Sequence, residues 1–266
     1  MGLLINRLLT ILNEKEVNSI HYHIALILLL NYERITDCSI DQIAKLCTVS
    51  KSTISKFARL IGFDDYSALR AAAPFKENKF HFDLNYNTNI LSNLQENGHN
   101  QYFKAIIGDM NWLKEHINMQ AIDHVARLLH RYQRVAAFGL LFSETAAIDL
   151  QYKLAYNKKF IVTFQNDVKQ DNFIKNADEN TLIILFSNSG TYINTYALQN
   201  RTLNKNIIKK SHAKFVLITS NAKANSFEYI DQCIIFNHQT TMQTHAWIYP
   251  IVTDLITLRY REMAEE

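Results

Sequence analysis

At 266 residues, with 48% hydrophobic and 20% charged side chains, the chain has ordinary globular composition and enough length for two modest domains. A formal net charge of +3 is too small to argue for nucleic acid by itself, so any such affinity must come from a local cluster of cations. Cys38, Cys47 and Cys233 show no C-x-x-C spacing, and no N-terminal signal segment with a cleavage site is present, which predicts a reduced, cytoplasmic protein with neither a metal site nor a disulfide framework.

The apolar segment from Ile20 to Tyr32 predicts a helix, and its run from Ile24 to Leu30 is far too short to span a bilayer. Ile40, Ile43, Ala44 and Cys47 then recur at the three-then-four spacing of one buried helix face. Thr48 and Val49 break that pattern. Ser50 is a good N-cap for a second helix and Gly62 supplies its stop. In this second helix Ile54, Phe57, Ala58 and Ile61 form the inward stripe, and Tyr66 to Ala73 adds a further helix. The outward face carries Lys51, Ser52, Thr53, Ser55, Lys56 and Arg59 and no acid. An ordinary solvated face would mix Glu with Lys, whereas cations among small hydroxyl residues suit close approach to a groove. The pair therefore reads as a helix-turn-helix, with those six residues as its DNA contacts.

The helical, strand-poor part ends near Pro74, and the Asn-rich stretch to about Asn100 predicts a linker. Helical periodicity resumes over Gln101 to Asn118 and Met119 to Arg131. Five short apolar runs follow, spaced by helical segments: Arg134 to Gly139, Phe160 to Phe164, Thr181 to Ser187, Lys214 to Thr219 and Cys233 to Phe236. Nearly continuous apolar strands of this kind argue for a parallel sheet covered on both faces. The expected organisation is an all-α bundle over residues 1–74, a linker over 75–100, and an α/β domain over 101–266 with a doubly wound, five-stranded parallel sheet.

Ligands of open parallel sheets bind beyond the carboxyl ends of the strands. Two such ends are distinctive: Gly139 to Ser143 after the first strand, and Ser187-Asn188-Ser189-Gly190-Thr191 after the third. Hydroxyls and backbone amides at a helix start form an anion cradle suited to a phosphate, which nominates Ser143, Ser187, Ser189, Gly190 and Thr191. Taken alone, the serine motif also reads as a plain turn with a capping Ser.

From Val49 to Arg70 the chain resembles the helix-turn-helix domain of the RpiR/MurR family of bacterial transcription regulators, with Val49, Ser50, Thr53, Lys56, Phe57, Gly62, Phe63, Tyr66 and Leu69 in the family's places. The C-terminal half resembles the sugar isomerase (SIS) domain that follows in that family, through Gly139, Ser143, Asp149, Lys153, Leu154, Ser187, Ser189, Gly190 and the strand end Ile218-Thr219-Ser220. The resemblance implies a cytoplasmic regulator in which a phosphosugar effector bound to the SIS domain alters binding to operator DNA, working as a homo-oligomer, a dimer or tetramer. Two positions depart from the pattern. Leu141 stands where the family's first loop usually has a second glycine, and Tyr192 where a Thr usually follows the serine loop. A larger side chain at either place is expected to crowd the phosphate approach.

The same fold serves aldose-ketose isomerases, which need an acid/base group over the sugar carbon; Glu144 and His245 are the candidates. A fused DNA reader favours sensing over turnover, so no catalytic residue and no cofactor are expected. A regulator whose SIS domain has lost its ligand and serves to oligomerise is the alternative, with an isomerase third.

Overall fold

The computed structural model describes residues 3–73, 87–194 and 206–265 and divides the chain into two compact units. The first is all helical: α1 (Leu3–Glu14), α2 (Ile20–Leu30), α3 (Ile40–Leu46), α4 (Lys51–Leu60) and α5 (Tyr66–Ala71). Its core gathers Leu4, Leu8, Ile24, Leu28, Ile35, Ile43, Ile54, Phe57 and Leu69, so every helix contributes an apolar stripe.

Local chemistry fixes the ends of these helices. Ser39 and Gln42 form a reciprocal capping box at the start of α3, and the Ser50 hydroxyl accepts from Thr53 N at the start of α4. Each helix ends with its chain turning left-handed, at Thr48 (φ 55°) and at Gly62 (φ 87°). In the first case Val49 N donates to Ala44 O and Thr48 N to Lys45 O; in the second Phe63 N donates to Ala58 O and Gly62 N to Arg59 O. Both pairs satisfy the last helical carbonyls. Arg7 Nη1 donates to Gly62 O at 2.8 Å while its guanidinium lies over the Phe63 ring at 4.6 Å, which clamps α1 onto the end of α4.

The second unit opens with a turn of helix at Asn87–Leu91 and α6 (Ser92–His116), broken at Gly98 (φ 74°). It continues through α7 (Met119–Arg131), β1 (Arg134–Phe138), α8 (Phe142–Tyr156), α9 (Asp167–Lys175), β2 (Thr181–Phe186), α10 (Thr191–Asn194), α11 (Asn206–Lys210), β3 (Lys214–Thr219), β4 (Gln232–Ile235) and α12 (His245–Glu265). The stretch expected to link the units is thus helical from Asn87 onward, and the rest of it beyond Ala73 lies outside the described residues. The helix is held here because Asn89 donates to Thr241 O and accepts from Gln243 N, and Ile90 is buried.

β1 to β4 pair in sequence order, all parallel. Side chains alternate between two cores. Val135, Ala137, Leu182, Ile184, Phe186, Val216 and Ile218 face a layer with residues of α7, α8 and α12; Ala136, Phe138, Ile183, Leu185, Phe215 and Leu217 face a layer with residues of α9, α10 and α11. Both faces are covered, as expected for a doubly wound sheet.

The sheet has four strands among the described residues, which corrects the expected five. Phe160 to Phe164 makes only a bridge beside β1, where Ala137 N donates to Val162 O and Val162 N to Val135 O. Neighbouring carbonyls go to side chains instead: Ile161 O accepts from Gln151 and Phe164 O from Gln170. Phe160, 76% exposed, lies at this edge, so apolar composition there does not report burial. The bridge still matters topologically. It lies on one side of β1 and β2 on the other, so the winding direction reverses between the carboxyl ends of β1 and β2.

Candidate functional site

The outward face of α4 has the composition that the sequence suggests. Lys51, Ser52, Lys56 and Arg59 are exposed, while Thr53 and Ser55 are half-buried. Ile54, Phe57, Ala58 and Ile61 are buried beneath them. α4 itself carries no acid, but the neighbouring helix supplies one. Asp41 at the start of α3 pairs with Lys51 at 2.6 Å, with both side chains more than half exposed. Thr53 is also occupied, since its hydroxyl lies 2.9 Å from the Ser50 hydroxyl in the cap. Ser52, Lys56 and Arg59 are therefore the residues most available to a groove.

In the second unit the two nominated loops flank the reversal point between β1 and β2. Gly139 ends β1 where the chain doubles back: a Cβ there would lie 2.3 Å from Ser143 O, so only glycine lets the helix start this close to the strand. Leu141 then adopts φ 57° and ψ −122°, and Ser143 N donates to Leu140 O across it. That is the first central position of a type II′ turn, which glycine normally occupies. Leucine holds a glycine conformation here, at a strain of about 1–3 kcal/mol. The loop's backbone path survives its missing glycine.

Ser143 is buried, with its hydroxyl 3.3 Å from the Tyr249 hydroxyl of α12. Across the reversal point, Ser187 Oγ accepts from Tyr192 N at 3.2 Å, Gly190 turns left-handed (φ 74°), and its N donates to Ser187 O. Ser189 is half-buried and its carbonyl accepts from Asn221 Nδ2. Thr191 opens α10. The strand end of β3 fastens the loop, because Asn188 O accepts from Thr219 Oγ1, Ser220 Oγ and Ser220 N.

Tyr192 does not crowd the loop as expected. Its ring is 8% exposed in the core on the α9 side, and its hydroxyl donates to Gln170 Oε1 at 2.7 Å. Burial pushes its pKa well above the ordinary value, with Asp171 and Asp167 adding to the shift. Gln170 in turn donates to Gly139 O at 3.0 Å, so one buried amide ties the end of β1 to the start of α10.

A polar network that the sequence did not reveal backs the serine loop. Asp109 of α6 is 0% exposed; its carboxylate accepts from Gln239 N at 2.6 Å, from Thr244 Oγ1, and from His238 Nδ1 at 2.9 Å. His238 Nε2 faces Asn188 Oδ1 at 2.9 Å, and Asn188 Nδ2 donates to Gln243 Oε1 at 2.7 Å. An Asp on an otherwise apolar helix face was the available signal, but its partners lie some 130 residues away.

The two acid/base candidates are both buried. Glu144 has its pKa raised by burial, partly offset by a hydrogen bond with Gln165. His245 is pushed down to about 4, by burial first and by the neighbouring His238 second, with a Gln243 backbone contact opposing. Asp149 and Lys153 are structural: they pair at 2.8 Å, and Lys153 reaches Asp254 and Thr253 of α12. Among the described residues no group of three or more His, Cys, Asp or Glu could hold a metal, and no helix is long and apolar enough to cross a membrane.

A family model described as the helix-turn-helix domain of the rpiR family matches residues 5–74. The first unit is an rpiR-family helix-turn-helix domain. Solved structures extend the likeness beyond that rpiR domain. The Vibrio vulnificus NanR protein, complexed with ManNAc-6P, is similar over 98% of this chain and 97% of its own, at 14% identity and a TM-score of 0.50. The sugar isomerase domain of an RpiR transcription factor from Sphaerobacter thermophilus is similar over 62% of this chain and 90% of its own, at 14% identity and a TM-score of 0.50. A putative sugar-phosphate isomerase from Listeria monocytogenes is similar over 66% of this chain and 91% of its own, at 16% identity and a TM-score of 0.50. At these identities the likeness is one of fold: an rpiR helix-turn-helix domain followed by an α/β unit with the sugar isomerase architecture. No curated protein sequence matches the chain.

Proposed function

We propose that the protein is a transcriptional regulator in which the rpiR domain reads operator DNA and the α/β unit senses a phosphorylated sugar. The reader spans residues to about 74, and the sensor runs from Asn87 to the end. The observation that carries the sensing half is the convergence of Ser143, Ser187, Ser189, Gly190 and the Thr191 helix start on the reversal point of the sheet, where open α/β folds bind ligands. Backbone amides and hydroxyls at two helix starts favour an anion, and a phosphate is the anion that a sugar metabolite carries. That NanR is complexed with ManNAc-6P supports the same reading.

Lys56, Arg59 and Ser52 make the principal DNA contacts, and Lys51 joins them once Asp41 is displaced. One such helix covers few base pairs, so two copies of the chain read two half-sites, and effector binding shifts the population toward one spacing of the readers. The protein is a sensor rather than an isomerase, works in the cytoplasm, and needs no cofactor.

Thermal denaturation of the full chain with a panel of hexose and amino-sugar phosphates tests this. At a hundred times its dissociation constant the effector adds about 2.7 kcal/mol to the stability of the sensor. The same sugar without phosphate gives no shift, and Ser189→Ala removes the effect. A panel that shifts nothing favours the alternative, a sensor fold kept for oligomerisation alone.

A further inference from the structure

One residue at the reversal point has no use in a phosphate cradle. His245, the first residue of α12, is 8% exposed, and its Nδ1 has no hydrogen-bond partner among the described residues. The ring's backbone contact is with Gln243, and a nitrogen at that depth without a hydrogen bond of its own loses water uncompensated. The polar groups around it are satisfied: Asp109 by three donors, His238 by Asp109 and Asn188, and the Tyr249 hydroxyl by Ser143.

His245 also sits between the two loops. Its ring centroid is 6.1 Å from that of His238, which bonds Asn188 in the serine loop, and 5.6 Å from that of Tyr249, whose hydroxyl reaches Ser143. An orphaned imidazole nitrogen is thus held beside both halves of the cradle.

We propose that His245 reads the sugar part of the effector, forming through Nδ1 a hydrogen bond with one hydroxyl group of the bound phosphosugar. The assignment rests on the sugar-phosphate reading of the site and deepens it. Burial and the neighbouring His238 keep the ring uncharged at neutral pH. A neutral imidazole nitrogen suits a hydroxyl, which donates or accepts as the tautomer requires, whereas a charged ring would compete for the phosphate. The division of labour is then chemical: loop amides and serine hydroxyls take the anion, and His245 takes a neutral group. Sites built to bond a hydroxyl reject the analogue that lacks it, because the buried nitrogen is left unpaired again.

Isothermal titration calorimetry on the full chain tests the assignment, with N-acetylmannosamine 6-phosphate, glucose 6-phosphate, their monodeoxy analogues and inorganic phosphate as probes. His245→Leu is expected to weaken the tighter-binding phosphosugar about ten- to a hundredfold and to leave inorganic phosphate unchanged. One monodeoxy analogue should lose a similar factor in the wild type and nothing further in His245→Leu, a non-additivity that a merely structural role would not produce. His245→Gln, which can donate and accept, should recover part of the loss; it also carries the test if the leucine variant fails to fold. Equal affinity in the wild type and the His245 variants, or deoxy losses that add to the variant's loss at every position, overturns this assignment and leaves the sensor reading standing. A wild-type chain that binds neither phosphosugar nor phosphate overturns both.

Discussion

The Tyr192 hydroxyl donates to Gln170 Oε1 at 2.7 Å in a site closed to solvent, and Gln170 passes the connection on to Gly139 O. Two loops that are distant in sequence are thereby held in one register from behind. Removing the hydroxyl leaves a buried carbonyl oxygen unpaired, at about 1–3 kcal/mol. Tyr192→Phe is expected to destabilise the second unit by that amount, and Tyr192→Thr by more, since it also leaves a cavity in the core. Both tryptophans, Trp112 and Trp247, lie in the second unit, so denaturation followed by tryptophan fluorescence reports this unit alone.

Leu141→Gly is expected to stabilise the same unit. Strain of about 1–3 kcal/mol is relieved at φ 57°, against a smaller loss from the greater freedom of glycine in the unfolded chain. The net gain is about 1 kcal/mol in the same fluorescence assay. Thr48→Gly at the turn between α3 and α4 should act similarly on the first unit, read by circular dichroism, because a β-branched residue at φ 55° is costlier than glycine.

These two turns mark where sequence reading stops. The helix-turn-helix was legible because caps and stripe are local: Ser39, Ser50 and Gly62 each act within a few residues, and Ile54, Phe57 and Ile61 lie on one face whatever they pack against. β1 to β4 were legible because strands buried on both faces are apolar in nearly every position after the first. Phe160 to Phe164 has the same composition yet lies at the sheet edge, and nothing local separates the two cases. The serine loop itself was legible, but the Asp109, His238 and Asn188 chain was not. Its members are brought together only by the fold, and each alone reads as an ordinary polar residue.

Releasing Lys51 from Asp41 should strengthen DNA binding. In Asp41→Asn the cation is free for a phosphate, so affinity rises and the slope of log K against log salt steepens by about one unit. Lys56→Ala and Arg59→Ala should each weaken binding more than Lys51→Ala does, because among the described residues neither is engaged in such a pair. Fluorescence anisotropy with labelled DNA across a salt series measures both effects.

His245 predicts a pH signature. In the unfolded chain the ring takes up its proton near pH 6.5, but in the folded chain only at about 4. Between these values unfolding takes up a proton, so stability falls as pH drops and returns as it rises. The full effect is about 3 kcal/mol. Glu144 acts in the opposite sense: its raised folded pKa makes stability fall as pH rises above the ordinary carboxyl value. Comparison of the wild type with His245→Gln isolates the histidine, and the variant should lose about 3 kcal/mol less on acidification, followed by tryptophan fluorescence in urea.

The proposed regulation depends on the coupling of the two units through a phosphosugar. Its most direct test is the dissociation constant of the full chain for DNA that it selects from a random library, measured at fixed salt with and without each member of a phosphosugar panel. At least one phosphosugar is expected to change that constant by about five- to a hundredfold, its dephosphorylated form is not, and Ser189→Ala is expected to abolish the response. An operator affinity that no phosphosugar changes, in a chain that binds the DNA tightly, would contradict the proposed regulation.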